Sequence, residues 1–404
     1  MTLKNDFFKT AIQNKFLNRI SSVEYIVSEK CQNNCSYCYR IKKHVASSVQ
    51  MIDVSRVKLF TDNLKEMFDL DDNFFHIRRT ELFGGDGLLD YQKAYDILDY
   101  LLNDVKYEIC VIPTNARMVQ ELSTYDLEKL LNVSEPGKVG LSLSVDGKPQ
   151  DNQRPLSKYG RMMAYDSKIN YKKLISIAKK YHCGFHPMLS FNSPETWFES
   201  FKFFAEQEVV PYLLEIRHPV SKEVSVECIK QLIFIRKYIN TFDNDQMRKA
   251  ANTIGMSIVP RGLGCSAHTT IPIMPNGDIP FCHRVIDPPQ VMANVLTKEY
   301  DISKLITLTA GHDHRNHPLC AACAIKKACA GQCAGASYEY WGDPWIPIES
   351  ICNYIKLKAF VMSYYFNDWK ELRNHLTEGF TMDDLQKEVT DIFGQEVVES
   401  LLNL

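Results

Sequence analysis

Nowhere does the sequence stay apolar for the roughly 18 residues that a bilayer-spanning helix needs, so no such helix is expected. There is no long basic block, and 47 Lys and Arg against 49 Asp and Glu leave a net charge of −2. That balance argues against a nucleic-acid or anionic-membrane surface. Met1 to Arg19 mixes Lys, Asn, Asp and Phe without an apolar core or a small-residue cleavage site. No signal peptide is read there, and a cytoplasmic location is expected. Repeats at solenoid spacing are absent. With 18 Gly and 17 Pro in 404 residues the chain is neither collagen-like nor low-complexity. The length exceeds one ordinary domain, which points to a large catalytic domain with an appendage.

What the chain has in quantity is cysteine. Thirteen are many for a reducing compartment, where disulfides are rare and clustered thiols point to metal or redox chemistry. Cys31, Cys35 and Cys38 form one cluster near the start. Cys265, Cys282, Cys320, Cys323, Cys329, Cys333 and Cys352 fall in the last third. Cys110, Cys183 and Cys228 stand apart in apolar or amphipathic segments and are expected to be small buried hydrophobes.

From Val23 to about Tyr238 short β-rich runs alternate with amphipathic helices, the pattern of parallel βα units. Strands are expected at Val23–Val27, Ile77–Phe83, Tyr107–Ile112, Val139–Val145, Gly184–Ser190 and Tyr212–Arg217. Val57, Phe60, Leu64 and Met67 share one helical face, as do Leu174, Ile177, Ala178 and Tyr181. Ser193-Pro194 supplies an N-cap and a helix-starting proline ahead of Trp197, Phe201 and Phe204. The expected fold is α/β, a partial (β/α)6 TIM-like barrel with its site at the C-terminal ends of the strands. Beyond about residue 245, Gly, Pro and Cys replace regular periodicity, which suggests a small fold organised by metal. Amphipathic helices return at Ile355–Leu372 and Met382–Leu402. The expected divisions are 1–22 for an N-terminal extension, 23–245 for the barrel, 246–360 for the Cys-rich domain and 361–404 for C-terminal helices.

Cys31-Gln-Asn-Asn-Cys35-Ser-Tyr-Cys38 directly follows the first strand and so lies on a loop at its C-terminal end. Three thiolates at these spacings can hold three irons of a [4Fe–4S] cube and leave the fourth for another ligand. A zinc site is the alternative, but structural zinc takes four N or S ligands. The triplet, with the aromatic Tyr37 before its third Cys, resembles the radical S-adenosylmethionine (SAM) superfamily. Gly84-Gly85-Asp86-Gly87 after the second strand looks like that family's Gly-Gly-Glu-Pro motif, with a carboxylate one methylene shorter and a less rigid turn. Thr114-Asn115 resembles its Thr-Asn-Gly motif, with Ala116 in place of Gly. Leu143-Ser144-Val145-Asp146-Gly147 resembles a fourth-strand Ser-Leu/Ile-Asp-Gly signature. The resemblance implies that Tyr37, Gly84, Gly85, Asp86, Asn115, Ser144 and Arg154 surround SAM. Asp86 would meet its ammonium, and Ser144 and Arg154 its ribose or carboxylate; a solvated loop arginine is the alternative for Arg154. The resemblance further implies that SAM chelates the open iron and is cleaved by one electron to a 5′-deoxyadenosyl radical, which takes a hydrogen atom from substrate. Flavodoxin or ferredoxin is the implied electron donor.

The later cysteines read Cys265-x11-Gly277-x4-Cys282, then Cys320-x2-Cys323-x5-Cys329-x3-Cys333, with Cys352 after eighteen more residues. This series resembles the SPASM extension of radical SAM enzymes. A zinc ribbon is the rival, but seven ligands at these spacings do not divide into four-ligand zinc sites. The resemblance assigns Cys320, Cys323, Cys329 and Cys352 to a distal [4Fe–4S] cluster. It assigns Cys265, Cys282 and Cys333 to a proximal one, making three clusters in all. Many members have a further Cys shortly before the one matching Cys265, where this chain has Val259. The proximal cluster therefore either has an open iron or takes His268 or His283, both of which also suit ordinary loop roles.

SPASM members mostly modify peptides or proteins, which implies a maturase installing a crosslink (C–C or thioether) or another oxidative change in a ribosomally made peptide. One alternative is an anaerobic sulfatase-maturating enzyme. In that group an Asp follows the Cys matching Cys282 and serves as base; here His283-Arg284 follows, and a histidine also serves as base near neutral pH. Another is a small-molecule dehydrogenase. A non-catalytic Fe–S carrier would have no use for the SAM-binding series. His186, Glu215, Arg217 and His218 punctuate the later strands. Glu215 and Arg217 are two apart and share a side, so they are read as substrate or SAM contacts or as a structural ion network. Only 30 residues precede Cys31, too few for a peptide-recognition domain. Leader recognition is expected from a separate protein or from the barrel and SPASM surfaces.

Overall fold

A computed structural model describes residues 20–39, 51–68, 78–209, 211, 214–216, 218–242, 269–285, 291–301, 303–304, 317–329, 331–366 and 369–404, with backbone alone at 214–216, 366 and 369–371. Arg217, Cys265 and His268 lie outside these residues, as does the side chain of Glu215.

In chain order, β1 (Ser22–Ser28) is followed by α1 (Val54–Phe68), β2 (Arg79–Gly84), α2 (Tyr91–Asp99) and β3 (Ile109–Thr114). Then come α3 (Thr124–Leu131), β4 (Val139–Leu143), α4 (Tyr171–Tyr181), β5 (Gly184–Phe185), β6 (Met188–Ser190) and α5 (Trp197–Ala205). The next are β7 (Leu214–Ile216), α6 (Lys222–Ile239), β8 (Thr270–Ile273), β9 (Asp278–Pro280), β10 (Val291–Asn294) and β11 (Glu299–Tyr300). The chain closes with α7 (Ala334–Trp341), α8 (Glu349–Phe366), α9 (Met382–Phe393) and α10 (Gln395–Leu402). Two units result. One comprises Met1–Val145, Gln150–Phe185 and Ser266–Gly311; the other Asp146–Pro149, His186–Cys265 and His312–Leu404.

The first unit is built on a parallel sheet in the order β5-β4-β3-β2-β1-β8. Its two faces differ. Tyr25, Leu82, Cys110, Ile112, Leu141 and Leu143 are fully buried beneath the helices, and the Tyr25 hydroxyl bonds Thr61 of α1 at 2.8 Å. On the opposite face Glu81, Phe83, Val111, Pro113, Gly140 and Ser142 are only half-buried. A parallel sheet ordinarily has both faces covered. This half-open face is less closely covered than its opposite. The helices behave as their periodicity predicts: α1 buries Val57, Phe60, Leu64 and Met67, and α4 buries Leu174, Ile177 and Ala178. Tyr181 stays half-buried, with its hydroxyl on Glu128 at 2.7 Å.

Two expected strands turn out differently. The run Gly184–Ser190 breaks: β5 pairs with β4, while β6 pairs with β7 in a separate two-stranded sheet of the second unit. Pro187 sits at the break, where its missing N–H removes a ladder bond. The sixth strand of the main sheet is β8, from beyond the stretch read as barrel, lying parallel to β1.

The second unit packs α5, α6, α8, α9 and α10 around one core that includes Trp197, Phe201, Cys228, Leu232, Tyr354, Leu357, Leu385 and Val398. Pro194 opens a short 3-10 turn leading into α5, but the Ser193 side chain makes no cap bond. The expected helix Met382–Leu402 divides at Gly394, whose φ of +90° suits glycine. Cys110, Cys183 and Cys228 are buried, as expected of small hydrophobes. No described helix is long and apolar enough to cross a membrane.

Candidate active site

The loop carrying Cys31, Cys35 and Cys38 leaves β1 at Ser28 and is gripped from two sides. Gly85 donates its N–H to the Ser28 carbonyl at 2.7 Å, and a Cβ at Gly85 would stand 2.2 Å from the Lys30 carbonyl oxygen. A Cβ at Gly160 would likewise meet the Gln32 carbonyl oxygen at 2.3 Å. Only glycine admits backbone this close. Backbone bonds strap the loop to residues 153–157: Asn34 N–H to Pro155 O at 2.7 Å, Ser36 N–H to Gln153 O at 2.9 Å and Ser157 N–H to Gln32 O at 2.8 Å. The Ser157 hydroxyl adds a bond to the Cys31 carbonyl at 2.8 Å. The cysteine loop thus has a fixed path without being a strand.

Donors surround its sulfurs. The Asn115 side-chain amide, just past β3, reaches Cys31 Sγ at 3.3 Å and Gln32 Oε1 at 2.7 Å. The Asn33 N–H lies 3.4 Å from Cys31 Sγ. Arg154 Nη1 lies 3.9 Å from Cys35 Sγ, and its guanidinium covers the Tyr37 ring with 5.2 Å to the centroid. Arg154 is 4% exposed; it is a buried cation at the cysteine loop and not a solvated arginine. Burial, then the nearby Asp86 and Cys35, push the Cys31 thiol far up. A thiolate here needs a cation beside it, which iron would supply if bound. Among the described residues no three His, Cys, Asp or Glu side chains converge as ligands of one metal ion do. Three thiols on one loop, two of them bonded by Asn115, Asn33 and Arg154, are the donor type that a [4Fe–4S] cluster takes.

Asp86, 1% exposed, accepts from Leu88 N–H at 2.8 Å, Thr114 Oγ1 at 3.2 Å and Asn115 N–H at 3.1 Å. Burial outweighs these bonds and raises its carboxyl to about 6. Ser144, half-buried just past β4, donates its N–H to the Thr114 carbonyl at 2.8 Å. Gly84, Gly85, Asp86, Asn115 and Ser144 therefore line consecutive C-terminal strand ends. Sequence reasoning missed Gln32, Asn33 and Gly160. It also missed Arg117, a fully buried side chain whose Nε donates to Asn33 Oδ1 at 3.1 Å and whose Nη1 donates to Asp166 O at 2.7 Å. No motif flags them, because their roles come from the fold of the loop.

Within the same unit, Cys282-His283-Arg284-Val285 is a tight turn closed by Val285 N–H to Cys282 O at 2.8 Å. His283 Nδ1 lies 2.6 Å from Glu24 Oε2, and its ring sits 4.6 Å from Phe83 and 6.0 Å from Tyr39 between centroids. Glu24 is 6% exposed on β1 beside Glu81 of β2. A carboxylate inside an apolar strand was a legible signal. The same signal points to Glu215, whose strand β7 forms but whose side chain is outside the described residues.

In the second unit Cys320, Cys323, Cys329 and Cys352 line one cavity, with Gln332 and Lys356 in its wall. Burial, then the neighbouring Cys329 and Cys320, push the Cys352 thiol up to about 12. Four thiols sharing a cavity suit a cube ligated at all four corners. No disulfide joins any described cysteine. Of the remaining three, Cys265 is outside the described residues, Cys282 belongs to the first unit and Cys333 to the second.

No protein-family model and no curated protein matches the chain. Solved structures do. Native anSMEcpe with bound AdoMet, an anaerobic sulfatase-maturating enzyme, superposes with a TM-score of 0.59 at 15% identity, over 87% of this chain and 99% of that one. The same enzyme with AdoMet and the Cp18Cys peptide gives 0.59 at 14%, over 87% and 99%. Streptococcus suis SuiB bound to its precursor peptide SuiA gives 0.52 at 17%, over 87% and 80%. The chain shares the fold of these radical SAM proteins. At these identities the likeness is one of fold. Within that fold the cysteine triplet, the Gly84–Gly87 turn and Asn115 lie at the ends of three adjacent strands, β1, β2 and β3.

Proposed function

We propose that the chain is a radical SAM enzyme that installs an oxidative change, a C–C or thioether crosslink, in a ribosomally made peptide. The observation that carries this reading is the Cys31–Cys38 loop, gripped by Gly85 and bonded by Asn115, at strand ends bordering a half-open sheet face. The peptides bound to SuiB and anSMEcpe support the substrate class. Cys31, Cys35 and Cys38 would hold the SAM-binding [4Fe–4S] cluster, Cys320, Cys323, Cys329 and Cys352 a distal one, and Cys265, Cys282 and Cys333 a proximal one. With SAM bound, the first cluster supplies one-electron cleavage of the S–C5′ bond and hence a carbon radical able to take a hydrogen atom.

The chain's own residues position that chemistry. Asp86 holds the SAM ammonium; Ser144 and Arg154 hold its carboxylate or ribose; Tyr37, Gly84, Gly85 and Asn115 shape the site. Oxidation of the peptide also releases a proton. His283, with Nδ1 held by Glu24, takes it at Nε2, unless that nitrogen instead completes the proximal cluster. Glu215 and Arg217 are assigned to contact with substrate or SAM, with a structural ion network as the alternative. Flavodoxin or ferredoxin donates the electron, a separate protein or the barrel and SPASM surfaces read any leader of the precursor, and the cytoplasm is the setting. Sulfatase maturation is the second reading. The anSMEcpe likeness favours it, and His283 in the position of that group's Asp counts against it.

The test is to incubate reconstituted protein with SAM, a reductant and peptides from neighbouring reading frames. 5′-Deoxyadenosine together with a peptide lighter by two hydrogens and newly crosslinked supports the proposal. Formylglycine in a sulfatase peptide transfers it to the second reading. Absence of SAM cleavage by iron-loaded protein overturns both.

A further inference from the structure

Gln332 stands in sequence between Cys329 of the distal set and Cys333 of the proximal one, yet its side chain is 4% exposed and bonded at both ends. Its Oε1 accepts the Ile348 N–H at 2.8 Å, while its Nε2 donates to the Ile348 carbonyl at 2.9 Å and to Cys352 Sγ at 2.9 Å. The amide therefore clamps the chain just ahead of α8 from both of its hydrogen-bonding groups. Its other hydrogen goes to the sulfur that α8 presents. That sulfur lines the same cavity as Cys320, Cys323 and Cys329. An N–H directed at a ligating thiolate withdraws negative charge from it and favours the more negative, reduced form of the cluster.

We propose that Gln332 is a positioning residue that raises the reduction potential of the distal cluster through its bond to Cys352. The inference rests on the reading that these four cysteines hold a [4Fe–4S] cluster.

Gln332→Glu keeps an acceptor for the Ile348 N–H and removes the N–H at sulfur, whereas Gln332→Leu removes both. Each variant is reconstituted in a Cys31→Ala/Cys35→Ala/Cys38→Ala background, which leaves only the C-terminal clusters, and titrated redox-wise by electron paramagnetic resonance. The expected result is unchanged iron content and a distal couple at least tenfold harder to reduce, about 59 mV lower for one electron. Iron retained with an unmoved distal potential overturns the inference. The wild-type background protein supplies a second test that does not depend on how the variants fold. After exchange into deuterium oxide, electron–nuclear double resonance should show two exchangeable deuterons coupled to the distal cluster, one from the Gly331 N–H on Cys329 Sγ and one from Gln332 on Cys352 Sγ. Absence of the second overturns the inference. If the wild-type background protein binds no iron, the cluster reading itself fails, a result distinct from either of the others.

Discussion

Asp86 accepts the backbone N–H of Asn115 at 3.1 Å, while the side chain of Asn115 donates to Cys31 Sγ at 3.3 Å. One asparagine thus joins the carboxylate after β2 to the sulfur after β1. A change at the SAM end of this chain of bonds is expected to be felt at the cluster end.

Metal content is the first consequence. The fully reconstituted protein should hold about twelve iron and twelve sulfide, and changing Cys31, Cys35 and Cys38 to Ala should remove about four iron and abolish SAM cleavage. The buried Cys110, Cys183 and Cys228 should be replaceable without loss of iron. Saturation near four iron, or stoichiometric zinc, would sink the three-cluster reading.

Asp86 should make SAM binding pH-dependent. Its folded-state value of about 6 lies above the ordinary 3.8, so the native protein binds the proton more tightly than the unfolded chain. Stability of the metal-free protein should therefore rise as pH falls from above 6 towards 3.8, by about 3 kcal/mol at most. SAM affinity should run the opposite way, because an ammonium favours the ionised carboxylate; it should fall as pH drops below 6. Asp86→Asn should weaken SAM binding by roughly ten- to a hundred-fold and flatten both profiles. Denaturation curves and calorimetry from pH 7 to 4.5 measure them, and a sloping profile in the variant would return Asp86 to a turn role.

Removing the Asn115 amide leaves the fully buried Gln32 without the donor on its Oε1. Asn115→Ala should cost about 1–3 kcal/mol, visible as a lower melting temperature. It should also lower the first cluster's potential and slow SAM cleavage while iron is retained. Wild-type cleavage rates in the variant would confine Asn115 to a structural role.

His283→Ala distinguishes ligand from base. A changed proximal-cluster spectrum marks a ligand. Intact clusters with continued SAM cleavage but little peptide product mark a base, and Glu24→Gln should then reproduce the defect more weakly by releasing Nδ1. Wild-type spectra and product in His283→Ala would leave the residue structural.

The strands that pair within the parallel sheet were readable because a buried β run needs contiguous apolar residues, as in Val23-Glu24-Tyr25-Ile26-Val27. The break at Pro187 was readable in principle, since one missing N–H decides it. The pairing of β8 with β1 was not. Their Cα partners, Ser22 with Thr270 and Tyr25 with Ile273, are brought together across some 248 positions, and nothing local in either segment specifies the other.

The sequence by itself determined the chemistry: three cysteines at fixed spacing after a strand, then glycines, Asp86 and Asn115 in strand order. These are short-range patterns, in which residue type and separation already constrain what can be bound. Only the tertiary structure decided how the pieces act on one another. It set Glu24 against His283, Gln332 against Cys352 and Gly160 against the Gln32 carbonyl. Such contacts depend on distance in space after folding, and each residue taken alone is an ordinary strand carboxylate, loop amide or helix glycine. The buried environment that lifts Asp86 to about 6 is of the same kind, because desolvation belongs to the packed core and not to any segment of the chain.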